Sequence, residues 1–146
     1  MKVAVASDHR GYEFKKKLCR MLSEHTVVDY GTNNAAESVD YPDYALRVAR
    51  AVANKECDRG ILVCGTGLGM SLAANKVKGV RAVVVHDVFS AEMSRRHNDS
   101  NILCLGADVI APGAMAAKIV QIWLDTPFEG ERHARRVQTI TDMEGS

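Results

Sequence analysis

The sequence predicts an α/β protein with a parallel sheet covered by helices on both faces, and two observations carry that reading. Short runs rich in Val and Ile alternate along the whole chain with segments of helical periodicity. Several of those runs are apolar at successive rather than alternate positions, as strands buried on both faces require. Strands are expected, in order, at Val3 to Ser7, Thr26 to Tyr30, Gly60 to Cys64, Arg81 to His86 and Asn101 to Leu105. Between the first two, Phe14, Leu18, Met21 and Leu22 recur at helical spacing and mark one buried face. Tyr44, Ala45, Val48, Ala49 and Val52 do the same before the third strand. A helix is expected to begin near Ser71, with others over Phe89 to Arg96 and Gly113 to Leu124 and a final one after Pro127-Phe128-Glu129-Gly130. The longest irregular stretch, Gly31 to Asp40, runs into Tyr41-Pro42, and a loop of that size in a compact domain is often functional.

With 146 residues, 47% of them hydrophobic, the chain suffices for one domain over 1–146 and is short for two. Nineteen Lys and Arg against eighteen Asp and Glu leave a net charge of +1. No global field therefore draws the chain to nucleic acid or to an anionic membrane. The opening Lys2-Val3-Ala4-Val5-Ala6-Ser7 reads as a strand rather than as the apolar core of a signal peptide, and no run reaches transmembrane length, so a cytoplasmic location is expected. Cys19, Cys57, Cys64 and Cys104 form no CxxC pair and no zinc-type spacing with histidine. Reduced thiols are the expectation, with Cys19 and Cys104 as packing residues in a helix and a strand.

Cys64 has a different address. Gly60-Ile61-Leu62-Val63-Cys64 runs into Gly65-Thr66-Gly67-Leu68-Gly69-Met70-Ser71, a turn with three glycines in five residues. Ligands of α/β proteins collect at the carboxyl ends of parallel strands, and glycines let backbone approach them closely. Successive N–H groups in such a turn form an anion-binding concavity, where a thiol can be held as the reactive thiolate. The rival reading is a dinucleotide fingerprint, with Asp87 about 20 residues on as its acid. That reading fails because Met70 stands where the third fingerprint glycine belongs and because the turn follows the third strand instead of the first. No Walker lysine is present either.

Two other strand or helix ends carry chemistry. Ser7-Asp8-His9-Arg10-Gly11 sets a carboxylate beside an imidazole at the end of the first strand, either as an acid/base or phosphate corner or as a helix cap with a solvated histidine. Arg96-His97-Asn98-Asp99 closes a helix, where His97 can simply complement the helix C-terminus. Arg132 and Arg136 lie four apart on one helical face, where two guanidiniums can clamp a phosphate.

Five segments in register resemble the ribose-5-phosphate isomerase B family, which includes galactose-6-phosphate and allose-6-phosphate isomerases. They are Ser7-Asp8-His9-x-Gly11, Val39-Asp40-Tyr41-Pro42-Asp43-Tyr44-Ala45, the run from Ile61 to Lys76, Arg96-His97-Asn98-Asp99, and Glu129-Gly130-x-Arg132-His133-x-x-Arg136-Val137, spread over almost the whole chain. The resemblance implies a Rossmann-like α/β/α fold and a metal-free aldose–ketose isomerase without a cofactor. It implies a homodimer, or a tetramer, with active sites between subunits. Ribose 5-phosphate/ribulose 5-phosphate is the leading substrate pair, with a tetrulose 4-phosphate or a hexose 6-phosphate as alternatives. By resemblance Cys64 is the base, Thr66 relays or orients the proton, and His97 opens the sugar ring with Tyr41 and Asp8 nearby. Backbone N–H groups across Gly65, Gly67, Leu68 and Gly69 would hold the enediolate oxygen, each such donor being worth ~3 kcal/mol. His9, Arg132 and Arg136 would grip the phosphate, and Asn98 would also touch the substrate. A nucleotide-binding module and a cysteine redox protein are the readings from other classes; the latter lacks a resolving cysteine near Cys64.

Two positions depart from the family pattern. Some members have a glutamate base where this chain has Met70, which cannot take a proton. Many place an arginine at the position of Asp108, near the phosphate end. A carboxylate there repels a phosphate unless it pairs with an arginine. Arg132 or Arg136 is then re-aimed by such a pair, or the substrate sits differently.

Overall fold

The computed structural model describes residues 1–145. Five parallel strands, β1 (Lys2–Ser7), β2 (Thr26–Asp29), β3 (Arg59–Cys64), β4 (Ala82–Val84) and β5 (Ile102–Gly106), lie in the order β2-β1-β3-β5-β4. The helices are α1 (Tyr12–Met21), α2 (Tyr41–Ala53), α3 (Leu68–Ala74), α4 (Val88–Arg96), α5 (Ala114–Asp125) and α6 (Arg132–Asp142), followed by one turn of 3-10 helix at Met143–Gly145. This is the single-domain, three-layer α/β arrangement expected from the alternating pattern.

Side-chain alternation along the strands builds two cores. Val3, Val5, Ile61, Val63, Leu103 and Leu105 face α1, α4 and α5, where Phe14, Leu18, Ala91, Ile119 and Trp123 meet them. Ala4, Ala6, Leu62, Cys64, Ile102 and Cys104 face α2 and α3, against Ala45, Val48, Ala49 and Met70. The alanines on this second face let α2 lie close to the sheet. Each large aliphatic side chain buried this way contributes about 1.5–3 kcal/mol.

Most expected boundaries are met to within one residue, and two differ by more for local reasons. The fourth strand ends at Val84 instead of His86 because it is an edge that pairs only with β5. His86 leaves the sheet, and its Nε2 accepts the Gly106 N–H at 2.8 Å. The third helix begins at Leu68, ahead of Ser71, because Gly67 takes the positive φ of 82° that ends the turn. Asp87, the would-be acid of the dinucleotide reading, caps α4 by accepting the Ser90 N–H at 2.7 Å.

Cys104 is fully buried, and burial pushes its thiol pKa up. Cys19 is half-buried on α1, and burial, then the Asp29 carboxylate, raise it too. Both behave as packing residues. Lys15 is buried and anchors the start of the 31–40 loop, donating from Nζ to Asp29 Oδ1 at 2.8 Å and to the Thr32 carbonyl at 2.6 Å.

Candidate active site

Strand order brings the carboxyl ends of β1 and β3 side by side in the middle of the sheet. Helices leave neighbouring central strands toward opposite faces there, and the crevice between them is where open α/β sheets bind ligands. The Asp8 N–H donates to the Val63 carbonyl at 3.2 Å, tying the loop after β1 to the end of β3. Asp8 is buried, and its Oδ1 accepts the Gly11 N–H at 3.0 Å, so one carboxylate oxygen shapes the turn into α1. His9 Nδ1 accepts the Val39 N–H at 3.2 Å, which leaves Nε2 to carry the proton of the neutral ring.

Cys64 ends β3 with its side chain buried on the α2–α3 face. The Gly67 N–H reaches its Sγ at 3.1 Å. The exposed Thr66 accepts the Leu68 N–H on Oγ1 at 3.3 Å. The Tyr41 ring lies against Gly69 so closely that a Cβ there would stand 2.4 Å from Tyr41 Cε1. Only glycine at that position lets the ring close over the turn. Met70 is fully buried in the core beneath. Asp8, His9, Tyr41, Cys64, Thr66 and the backbone of Gly65, Gly67, Leu68 and Gly69 thus gather at one sheet edge.

His97, Asn98, Arg132 and Arg136 form a second group around α4 and α6. His97 caps α4, donating its backbone N–H to the Met93 carbonyl, and the exposed Asn98 follows it. The His97 and His133 rings stack with centroids 4.1 Å apart and planes 9° from parallel. Glu129 serves both, with Oε1 at 3.7 Å from His97 Nε2 and 3.9 Å from His133 Nε2, while its other oxygen meets Arg96 at 3.1 Å. His133 Nε2 is buried with no hydrogen-bond partner. Burial, then the His97 ring, lowers the His133 pKa from its ordinary 6.5. The ligand atoms of these three residues lie within 4.8 Å of one another. Imidazole lone pairs lie in the ring plane, so rings stacked this way do not converge on one ion unless one of them turns. Arg132 and Arg136 are exposed along α6.

Among the described residues, no hydrogen bond or ion pair links this second group to the Cys64 turn. Cavities of about 240 Å³ beside His25 and α5 and about 390 Å³ beneath the 31–40 loop do not include Cys64.

A family model described as Ribose/Galactose Isomerase matches residues 3–140. The chain belongs to the ribose/galactose isomerase family. Within that family it is similar to ribose-5-phosphate isomerase B of Escherichia coli, 47% identical, with 98% of this chain and 96% of that protein covered. It is 39% identical to a D-erythrulose-4-phosphate isomerase of Pectobacterium atrosepticum, over 96% of this chain and 93% of that one. Its fold superposes on Clostridium thermocellum ribose-5-phosphate isomerase B with a TM-score of 0.96 at 50% identity, covering 99% and 98% of the two chains. The Mycoplasma genitalium ribose-5-phosphate isomerase B, solved with bound ribulose 5-phosphate, gives 0.91 at 40% identity, covering 99% and 97%.

The family frame sharpens what sequence reasoning missed. Asp108 does pair with an arginine, but that arginine is Arg10, in place of Arg132 or Arg136. In sequence Arg10 is the unassigned position of the Ser7-Asp8-His9-x-Gly11 segment. Glu129 and His133 were visible only as parts of a motif, and their contact with His97 is a property of the folded chain.

Proposed function

We propose that this isomerase interconverts ribose 5-phosphate and ribulose 5-phosphate, with Cys64 as the base that carries the proton between carbons. The observation that carries the reading is the seat of Cys64, a buried thiol at the carboxyl end of a central strand with a glycine-turn N–H on its sulfur. In the open-chain aldose, the thiolate takes the proton from C2, and the C–H electrons form the C1=C2 bond and place charge on O1. The hydroxyl proton then passes from O2 to O1, with Thr66 beside the thiol to relay it. C2=O forms as C1 takes back the proton from the Cys64 thiol. No atom is gained or lost, so neither oxidant nor cofactor enters the balance. Backbone N–H groups from Gly65 to Gly69 face the charge that develops on oxygen. The His9 Nε2–H, fixed as a donor by the Val39 contact, suits the phosphate end.

His97, Arg132 and Arg136 complete this chemistry in a homodimer, each site taking them from the second copy. Their separation from the Cys64 turn supports that arrangement. So does α6, on which His133 is the buried residue while Ile140 stays exposed. Leu68 and Leu72, 58% and 68% exposed beside the turn, and Phe89, 70% exposed, give this edge the apolar character of an interface. His97 then exchanges the proton that opens the furanose ring, passing it between the anomeric hydroxyl and the ring oxygen. Such a protein works in the cytoplasm, where the thiol stays reduced.

The test is isomerisation of four-, five- and six-carbon sugar phosphates, compared by kcat/KM. A maximum at ribose 5-phosphate is expected. A maximum at the four-carbon substrate, the activity named for the Pectobacterium relative, would keep the chemistry and reassign the substrate. No turnover of any of them would overturn the proposal.

A further inference from the structure

We infer that Arg10, held in place by Asp108, is a phosphate-binding guanidinium of the substrate site and that Asp108 is its positioning residue. The inference rests on the proposed sugar-phosphate activity and deepens it. The two residues are 98 apart in sequence, yet Arg10 Nη2 donates to Asp108 Oδ2 in a short contact. Both backbones are fixed relative to the thiol. Gly11 packs on the end of β3, where an added Cβ would stand 2.6 Å from the Val63 carbonyl, so Arg10 enters directly over the strand that carries Cys64. On the other side, the Ala107 N–H donates to the Cys64 carbonyl at 2.8 Å and the Asp108 N–H to the Gly65 carbonyl at 2.9 Å. The ion pair therefore covers the residue that follows the base. A Cβ on Gly65 would meet Asp108 Oδ2 at 3.0 Å and Arg10 Cζ and Nε at 3.3 Å.

Stability does not account for this pair. Its side chains are 60% and 51% exposed, and an ion pair that open contributes at most about 1 kcal/mol. Its chemistry fits a ligand better. A guanidinium has five N–H donors, and the carboxylate engages one of them here. The others are free among the described residues, next to His9, whose Nε2 is also a donor. Asp108 alone would repel a dianion at this edge. Paired, it fixes the long Arg10 side chain over the turn and lowers the ordering cost of a second, forked contact.

The experiment measures KM and kcat for ribose 5-phosphate and the Ki of inorganic phosphate as a competitor, on the full chain. Arg10→Ala is expected to raise both KM and Ki about tenfold, the size of one charge-assisted hydrogen bond in a half-exposed setting. Its kcat stays within about threefold and its Tm does not move, because the pair stabilises little. Arg10→Lys recovers part of the loss. Asp108→Asn raises KM in the wild-type background and adds nothing to Arg10→Ala, since it acts through that side chain. Unchanged KM and Ki in Arg10→Ala would overturn the assignment. A raised KM with unchanged phosphate Ki would put Arg10 on the sugar hydroxyls and overturn the phosphate role. A lower KM in Asp108→Asn would overturn its positioning role. An inactive wild-type protein would overturn the proposed activity itself, and this assignment with it.

Discussion

His97 and His133 stack face to face, 4.1 Å apart, over a single carboxylate from Glu129. One carboxylate cannot compensate two imidazolium charges at that separation. The buried ring of the pair, His133, is accordingly held below its ordinary pKa by burial and by its neighbour, with Arg132 and Arg136 pushing the same way and Glu129 opposing. The arrangement keeps a neutral ring packed against the half-buried His97, which the mechanism assigns to ring opening.

This gives a pH dependence of known sign. The folded-state pKa of His133 lies below the unfolded value of about 6.5. Above that pH both states are neutral and the full stability is present. As pH falls from about 6.5 through the folded value, the unfolded chain takes up the proton first and stability is lost. His86, lowered chiefly by burial, adds to the same trend. Thermal unfolding between pH 7.5 and 5 is expected to show a falling Tm, and His133→Gln to show a shallower fall. Equal slopes would contradict the assignment.

The contact between Tyr41 and Gly69 predicts a substitution effect with its own rescue. In Gly69→Ala the new methyl collides with the Tyr41 ring, 2.4 Å from Cε1 and 2.5 Å from Cζ. The ring is partly exposed and can swing outward, so the cost should be about 1–3 kcal/mol instead of loss of the fold. Urea unfolding checks the size. In a Tyr41→Ala background most of the penalty should vanish, and an undiminished penalty would mean that the strain comes from elsewhere in the turn.

Much of this was legible because the physical signals are local. Strands β1, β3 and β5 are apolar on both faces, which only a sheet covered on both sides satisfies, and the turn after Cys64 advertises its backbone through its glycines. The residues that escaped are those whose meaning depends on where the chain crosses itself. Arg10 acquires a position only when Gly11 packs onto Val63 and the loop after β5 delivers Asp108. His133 looks like any helical histidine until the turn at Gly130 lays it on His97. The early end of β4 follows from its place at the sheet edge, which local pattern does not encode.

Shared sites predict complementation. Co-expressed Cys64→Ser and His97→Gln subunits should form mixed dimers in which one site carries both substitutions and the other carries neither. Random pairing then restores about a quarter of wild-type activity from two inactive parents. Activity no higher than that of the parents would place both residues in the same subunit's site.

The most direct test of the account is the turnover of ribose 5-phosphate by Cys64→Ser, read beside its affinity for inorganic phosphate. A hydroxyl is a far weaker acid than a thiol and cannot be held as the anion in this turn. Loss of kcat by about a hundredfold or more, with phosphate binding and Tm retained, is the expected result. Near-normal kcat in that variant would remove Cys64 from the role of base and contradict the mechanism at its centre.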